Sequence, residues 1–316
     1  MKILAVMVRY ITPLNDSPAL QGLINAFVNH PELTECYELL IWDNSSEAIE
    51  NPQLPIPSLY HHSPVNLGVS GAYNGAMQVA MARGFAWMLL LDQDTVVNAQ
   101  FLQTMHRHAV SLDAEAEVAV IAPTVRVKNS IVSPRRQLFN RHRPYPPGEV
   151  GIAWGEAFAI NSGSMMRIES LRAIGGFSLD FWLDYSDLYV SHQLHLRGKK
   201  IFRAADAELE HDMSIMDYDR LMKPSRYRNY SHAESAFNDL YKGKVEIFVQ
   251  NLRLFVRVLK QRRKYRNPEF SKIAWEQLIY RLRVPRRERI RRWFAQGAER
   301  AAMLETVSDS PREVAR

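Results

Sequence analysis

Short continuous apolar runs alternate with stretches of helical spacing through the first part of the chain. Residues 2–8 (KILAVMV), 37–42 (YELLIW), 85–91 (FAWMLLL) and 117–122 read as buried strands, and residues 58–62 add a shorter one. Between them, Ser17 to Asn29 carries Leu20, Leu23, Ile24 and Phe27 at helical intervals, with Ser17 placed to cap and Pro18 in the first turn. Gly68 to Gly84 is a glycine-rich entry into a helix with Ala72, Ala76, Val79 and Ala80 on one face, and residues 98–110 predict another helix. Strands alternating with helices predict an α/β domain around a mainly parallel sheet covered on both faces. Ligands of such sheets lie beyond the carboxyl ends of the strands. Three polar clusters fall at those ends: Arg9-Tyr10, Asp43-Asn44 and Asp92 to Asp94.

The pattern changes at residue 124. Residues 124–152 are rich in Pro, Arg and Tyr and predict an irregular excursion. A strand-like stretch from Trp154 through Ile160 leads to Asn161-Ser162-Gly163-Ser164, then a helix from about Glu169 that Gly175-Gly176 end. Asp187 to Leu196 predicts a helix stopped by Gly198, and Lys200 to Arg203 a strand. After residue 216 the chain is helical and basic, which divides it into a catalytic domain over 1–215 and a helical region over 216–316. From Asp217 onward basic residues outnumber acidic ones two to one, giving that region roughly +12 and the part before it roughly −6, within a net +6. The single cysteine, Cys36, excludes an intrachain disulfide and a cysteine-ligated zinc site. Without a signal-peptide pattern at the start or an apolar run of membrane-spanning length, a cytoplasmic protein is expected.

Four places carry chemistry. Asp92-Gln93-Asp94 directly follows a hydrophobic strand. Two carboxylates one residue apart there can hold a hard divalent cation, Mg2+ or Mn2+, whose shell phosphate oxygens complete; the plain alternative is a loop with two exposed acids. Asn66 to Gly75 places glycines and small residues where a loop enters a helix, which permits close backbone approach and favours anions. Helix-to-sheet packing alone accounts equally for Gly71 and Ala72. Asp184-Tyr185-Ser186-Asp187 follows the bulky run Phe181-Trp182-Leu183, so its carboxylates are partly desolvated and suited to general-base work. Either acid also suits a helix N-cap. His211 alone reads more readily as structural than as a metal ligand.

Taken together, Asp43-Asn44-Ser45, Asn66 to Gly75, Leu91 to Thr95, Asn161-Ser162-Gly163, Gly175-Gly176-Phe177 with Asp184 to Asp187, and His211 resemble family 2 glycosyltransferases, especially bacterial rhamnosyltransferases. The resemblance spans roughly residues 1–215. It implies a glycosyltransferase A-type fold, a nucleoside-diphosphate-sugar donor and inversion at the anomeric carbon. Carried over by position, Asp43 contacts the nucleotide base and Asp92 the ribose or the metal shell. Asp94 ligates Mg2+ or Mn2+ with His211, Asp187 is the base, and Asp184 is its acidic partner. Tyr10, Asn66, Gly71, Asn74 and Gln93 complete the nucleotide-sugar set. The family commonly has an acid where this chain has Tyr189, an arginine where it has Gln193, and an asparagine where Ile11 follows Tyr10.

The expected reaction is metal-assisted single displacement of a sugar, rhamnose being the first candidate, onto a glycan or lipid-linked glycan. A sugar nucleotidyltransferase would share the acidic metal ligands, but the first strand ends in Arg9 to Leu14 without that class's glycine cluster. A non-catalytic binding protein is the third reading, and the basic tail lacks a nucleic-acid module. Residues 246–260 set Phe248, Leu252, Phe255, Val256 and Leu259 at helical spacing among Arg253, Arg257 and Lys260, and Arg286 to Arg292 run up to Trp293-Phe294. Such a tail suits peripheral contact with the anionic inner face of a plasma membrane, or packing on the catalytic domain or on a second subunit.

Overall fold

The computed structural model describes residues 1–49, 54–138, 141–210, 218, 222–304 and 312–314. The strands are β1 Ile3–Arg9, β2 Tyr37–Asp43, β3 Ser58–His62, β4 Trp87–Asp92, β5 Val118–Val127, β6 Ser130–Ser133, β7 Arg135–Leu138, β8 Arg141–Pro144, β9 Gly151–Ile152, β10 Ala157–Phe158, β11 Met165–Arg167, β12 Lys200–Glu210 and β13 Arg312–Val314. The helices are α1 Pro18–Asn29, α2 Leu33–Cys36, α3 Gly68–Ala82, α4 Ala99–Ser111, α5 Ile168–Ala173, α6 Ser186–Leu196, α7 Pro224–Tyr241, α8 Lys244–Lys264, α9 Glu269–Arg283 and α10 Arg286–Leu304.

The main sheet runs in the order β13-β3-β2-β1-β4-β11-β5-β12-β9, with β6 paired to β5. β1 pairs in parallel with β2 and β4, and β2 with β3. β11 enters antiparallel between β4 and β5, which makes the sheet mixed. Both faces are covered, so the central strands are apolar throughout rather than alternating. On β1, Ile3, Ala5 and Met7 join the core under α1 and α4, while Leu4, Val6 and Val8 join the core under α3 and α5. Ser17 caps α1 through its hydroxyl, which accepts from the Leu20 N–H at 3.3 Å.

The irregular excursion expected over residues 124–152 is corrected. β5 continues to Val127, turns back as β6, and feeds a small sheet ordered β10-β7-β8. The strand-like stretch expected from Trp154 to Ile160 reduces to β10. β12 extends well past Arg203 to Glu210, following β5 in parallel.

The C-terminal helices are tied to one another by buried ion pairs. Asp239 of α7 takes the guanidinium groups of Arg281 and Arg289 at 3.0 and 2.7 Å. Glu234 takes Arg257 of α8 at 2.6 Å. Arg289 and Arg257 are therefore inward-facing clamps, not cations turned toward a surface. Arg286 donates to the Asp239 carbonyl at 2.7 Å, and Arg291 and Arg292 both reach Glu288. Among the described residues, no helix is long and apolar enough to cross a membrane.

Candidate active site

β1, β2 and β4 end side by side, in register Arg9 with Asp43 and Val8 with Asp92. Asp43 is fully buried. Its carboxylate pairs with Arg9, accepts the Tyr60 hydroxyl at 2.7 Å and accepts the Ser45 N–H at 2.9 Å. Burial, with the facing Asp43 carboxylate adding to it, pushes the Tyr60 hydroxyl up to about 12. Asp43 thus stitches the strand ends together and shapes the floor of the site. The β1–α1 turn lies over that floor. The Tyr10 N–H donates to Gln93 Oε1 and the Ile11 N–H to the Ser45 hydroxyl, at 2.9 and 2.8 Å. Ile11 sits at φ 66°, and Tyr10 and Ile11 hold their side chains exposed at the lip.

The β4 end is acidic. Asp92 accepts the Ser162 hydroxyl and the Tyr73 hydroxyl, the latter at 3.3 Å. Asp94, two residues further, is exposed. Burial foremost, then the charge and hydrogen bond of Asp92 and the charges of Asp94 and Asp187, push the Tyr73 hydroxyl well up. Asp187 opens the first turn of α6. Burial raises its carboxyl to about 6; the Leu188 N–H at 2.8 Å opposes this, and the charges of Asp184 and Asp92 add to it. Asp184 is likewise raised to about 6 by burial, against the pull of Arg226, whose guanidinium lies 2.9 Å away. Its second oxygen is buried with no hydrogen-bond partner among the described residues. A desolvated, mutually repelling pair of carboxyls beside two more acids is the arrangement of a general base poised near neutrality.

Tyr185, between them, adopts a left-handed backbone with φ 67°. That conformation costs a non-glycine residue of order 1–2 kcal/mol and persists only where packing holds it. Here Tyr230 and Phe237 of α7 hold the ring, at centroid distances of 5.6 and 5.5 Å. The seam continues through Tyr189, stacked 5.9 Å from Phe181 and 6.5 Å from Tyr241. Trp293 of α10 lies 5.4 Å from Phe181, and Arg300 lies over the Trp182 ring. The C-terminal helices therefore buttress the segment that carries both acids, and Tyr189 serves that seam.

The glycine-rich helix entry is held by hydrogen bonds of its own backbone and by the 177–182 segment. The Gly68 N–H goes to Asn66 Oδ1 at 2.9 Å, the Ser70 N–H to the Trp182 carbonyl at 3.1 Å, and the Gly71 N–H to the Leu67 carbonyl at 3.3 Å. Asn74 is bonded at both ends of its amide to the Phe177 backbone, at 2.8 Å each. Asn74 and Ser70 thus dock α3 against the 177–182 segment, while Gly71 packs closely on Leu67 at the start of the same helix. Gly68, at φ 66°, is required because a Cβ there would run into the Trp182 carbonyl. Asn66 is exposed, its side chain closing the local turn.

Arg226, Ser162, Tyr73 and Tyr60 are site residues that reasoning from the sequence did not single out. Ser162 and Tyr73 carried a signal, through the Asn161-Ser162-Gly163 and Asn66 to Gly75 motifs. Among the described residues, no three His, Cys, Asp or Glu side chains gather into a metal cage. His211 lies outside the described residues. An exposed carboxylate such as Asp94, two residues beyond Asp92, fits Mg2+ or Mn2+, which keep only one or two protein carboxylates and take phosphates for the rest.

The family model for glycosyl transferase family 2 matches residues 11–175. The chain belongs to glycosyl transferase family 2. The match includes Asp43, Asp92 and Asp94 and ends before Asp184 and Asp187. No curated protein sequence matches the chain. Among solved structures, S. aureus TarS residues 1–349 superposes with a TM-score of 0.50 at 15% identity, covering 97% of this chain and 90% of that one. The same TarS fragment in complex with UDP-GlcNAc gives 0.50 at 16% identity, covering 97% and 91%. At these identities the likeness is one of fold: a glycosyltransferase A-type α/β domain followed by helices. The chain is thus a family 2 transferase of that architecture.

Proposed function

We propose that this family 2 transferase moves a sugar from a nucleoside-diphosphate donor to a hydroxyl of a glycan or lipid-linked glycan, with inversion. The observation that carries the reading is the pairing of two acids at the end of β4 with a desolvated Asp187, raised to about 6, in the first turn of α6. Asp92 is bonded to Tyr73 and Ser162, and the Asn161–Ser186 hydrogen bond of 2.9 Å ties α6 to the Ser162 turn. The base lies along the floor held by Arg9, Asp43 and Tyr60, beside the exposed Tyr10 lip. Asp92, oriented by Ser162 and Tyr73, meets the ribose or the metal shell.

Asp94, with His211, would hold Mg2+ or Mn2+ against the diphosphate, and that cation, when bound, neutralises charge on the departing group as a Lewis acid. The carboxylate of Asp187 takes the proton of the acceptor hydroxyl as its oxygen forms the bond to the anomeric carbon. The bond from that carbon to the phosphate oxygen breaks on the opposite face, and the nucleoside diphosphate leaves with the electron pair. One displacement inverts the centre without a covalent enzyme intermediate, through a transition state of oxocarbenium character like that of glycoside hydrolysis. Asp184, ionised against Arg226, adds its charge beside Asp187 and so raises the proton affinity of the base.

The test is a panel of nucleotide sugars, thymidine-diphosphate-rhamnose first, incubated with Mn2+ or Mg2+ and glycan acceptors while released nucleoside diphosphate is measured. Metal-dependent release with at least one donor supports the reading, and no release with any donor removes it.

A further inference from the structure

Helix α8 is apolar on its outward side as well as inside. Its inward side sets Leu254 and Val258 among polar groups: Arg257 forks onto Glu234 at 2.6 and 2.8 Å, and Gln261 donates to the Tyr227 hydroxyl at 2.9 Å. Gln250 is buried on that side as well. Its outward side carries Val245, Phe248, Leu252, Phe255, Val256 and Leu259, all exposed, Phe248 at 69% and Leu252 at 54%. These positions recur every three or four residues, so they form one continuous ladder along the helix. A helix that packs a soluble protein normally turns this face inward, and a contiguous apolar surface left outside marks an interaction site.

The charges beside the ladder say what covers it. Lys244, Lys260, Arg262, Arg263 and Lys264 are exposed along the same helix. The one acid of α8, Glu246, accepts the Gly243 N–H at 2.8 Å and so closes the helix's own start. Two copies of the chain pressed together on this ladder would bring like cations face to face. An anionic lipid surface meets both features at once: the ladder enters the acyl boundary and the cations meet the headgroups.

We propose that α8 is an interfacial helix that docks the protein on anionic phospholipid. The contact is separate from the catalytic acids, so its failure leaves the transfer reading standing, and failure of the donor assay leaves this contact standing.

Flotation of the full chain with phosphatidylcholine vesicles, alone or mixed equally with phosphatidylglycerol, tests it. The protein should float only with the mixed vesicles, and less at high salt. Neutralising Arg263 as Arg263→Gln should weaken partition about 5-fold, the equivalent of about 1 kcal/mol per cation near such a surface. The double variant Phe248→Glu, Leu252→Glu should lower it by more than about a hundredfold, since each buried side chain is lost and replaced by a charge. Both variants should keep the wild-type circular dichroism and nucleoside-diphosphate release, because the substituted side chains face outward. Protein that stays unfloated at low salt overturns the proposal. So does equal flotation with phosphatidylcholine alone, or a wild-type dimer in sedimentation equilibrium that the double variant dissolves.

Discussion

Replacing Asp187 with asparagine should make the protein more stable and nearly inactive. The wild-type carboxyl is raised from 3.8 to about 6 in the folded chain, burial being the first cause and the Asp184 and Asp92 charges adding to it. A shift of about two units, at 1.36 kcal/mol each, sets an upper bound of about 3 kcal/mol on the cost of ionising it in place. Because the folded value lies above the unfolded one, the folded state binds the extra proton. The cost is absent below about pH 4, grows between pH 4 and 6, and is complete above 6. The asparagine amide carries no charge, so Asp187→Asn should gain roughly 1–3 kcal/mol at pH 7.5, or roughly 2–6 °C in melting temperature for a chain of this size. That gain should vanish as the pH falls to about 4. Turnover should fall by about 10²–10⁴, since an amide cannot accept the acceptor's proton. Thermal melts across that pH range, read beside nucleoside-diphosphate release, check both halves. A variant less stable than wild type at pH 7.5, or equally active, refutes the reasoning.

Other substitutions reach separate parts of the account. Asp94→Ala should abolish Mn2+-supported donor binding in calorimetry while the circular dichroism stays unchanged, because the residue is exposed at the strand end. Arg226→Ala should raise the pH at which Asp184 takes up its proton, read by carbon NMR of the carboxyl groups, because the guanidinium at 2.9 Å now holds that value down. An unmoved midpoint would detach the C-terminal helices from the site's electrostatics. Gly68→Ala should cost several-fold in turnover along with stability, since its Cβ meets the Trp182 carbonyl and must displace the segment leading to Asp184. A crystal structure of that variant with residues 181–187 in place would contradict this.

The elements that were legible in the sequence are those whose local pattern and tertiary burden agree. β1, β2 and β4 are apolar along their length because both faces of the sheet are covered, and their first polar residues mark where ligands lie. Asp92, Asp94, Asp184 and Asp187 stand out for the same reason: carboxylates abut buried runs. The small sheet was hidden because the arginines of β7 and the Arg and Pro of its edge strand β8 read as loop chemistry, and β6 is too short to show a period. The role of Asn74 was hidden because its partner, the Phe177 backbone, lies far along the chain. Arg226 was hidden more deeply, as one arginine among many in a basic region; only the aromatic seam from Tyr185 to Phe237 brings its helix to Asp184. Arg257 reads from the sequence as one more surface cation, because the Glu234 that takes it inward lies on another helix.

The most direct test of the account is nucleoside-diphosphate release from the donor panel by wild type and Asp187→Asn in parallel, with Mn2+ and with chelator. Wild type should release nucleoside diphosphate from at least one donor only when the cation and a glycan acceptor are present. The asparagine variant should bind that donor equally well and release about 10²–10⁴ times less. Equal release by the two proteins, or wild-type release that survives the chelator, would contradict the assignment of these carboxylates to the chemistry.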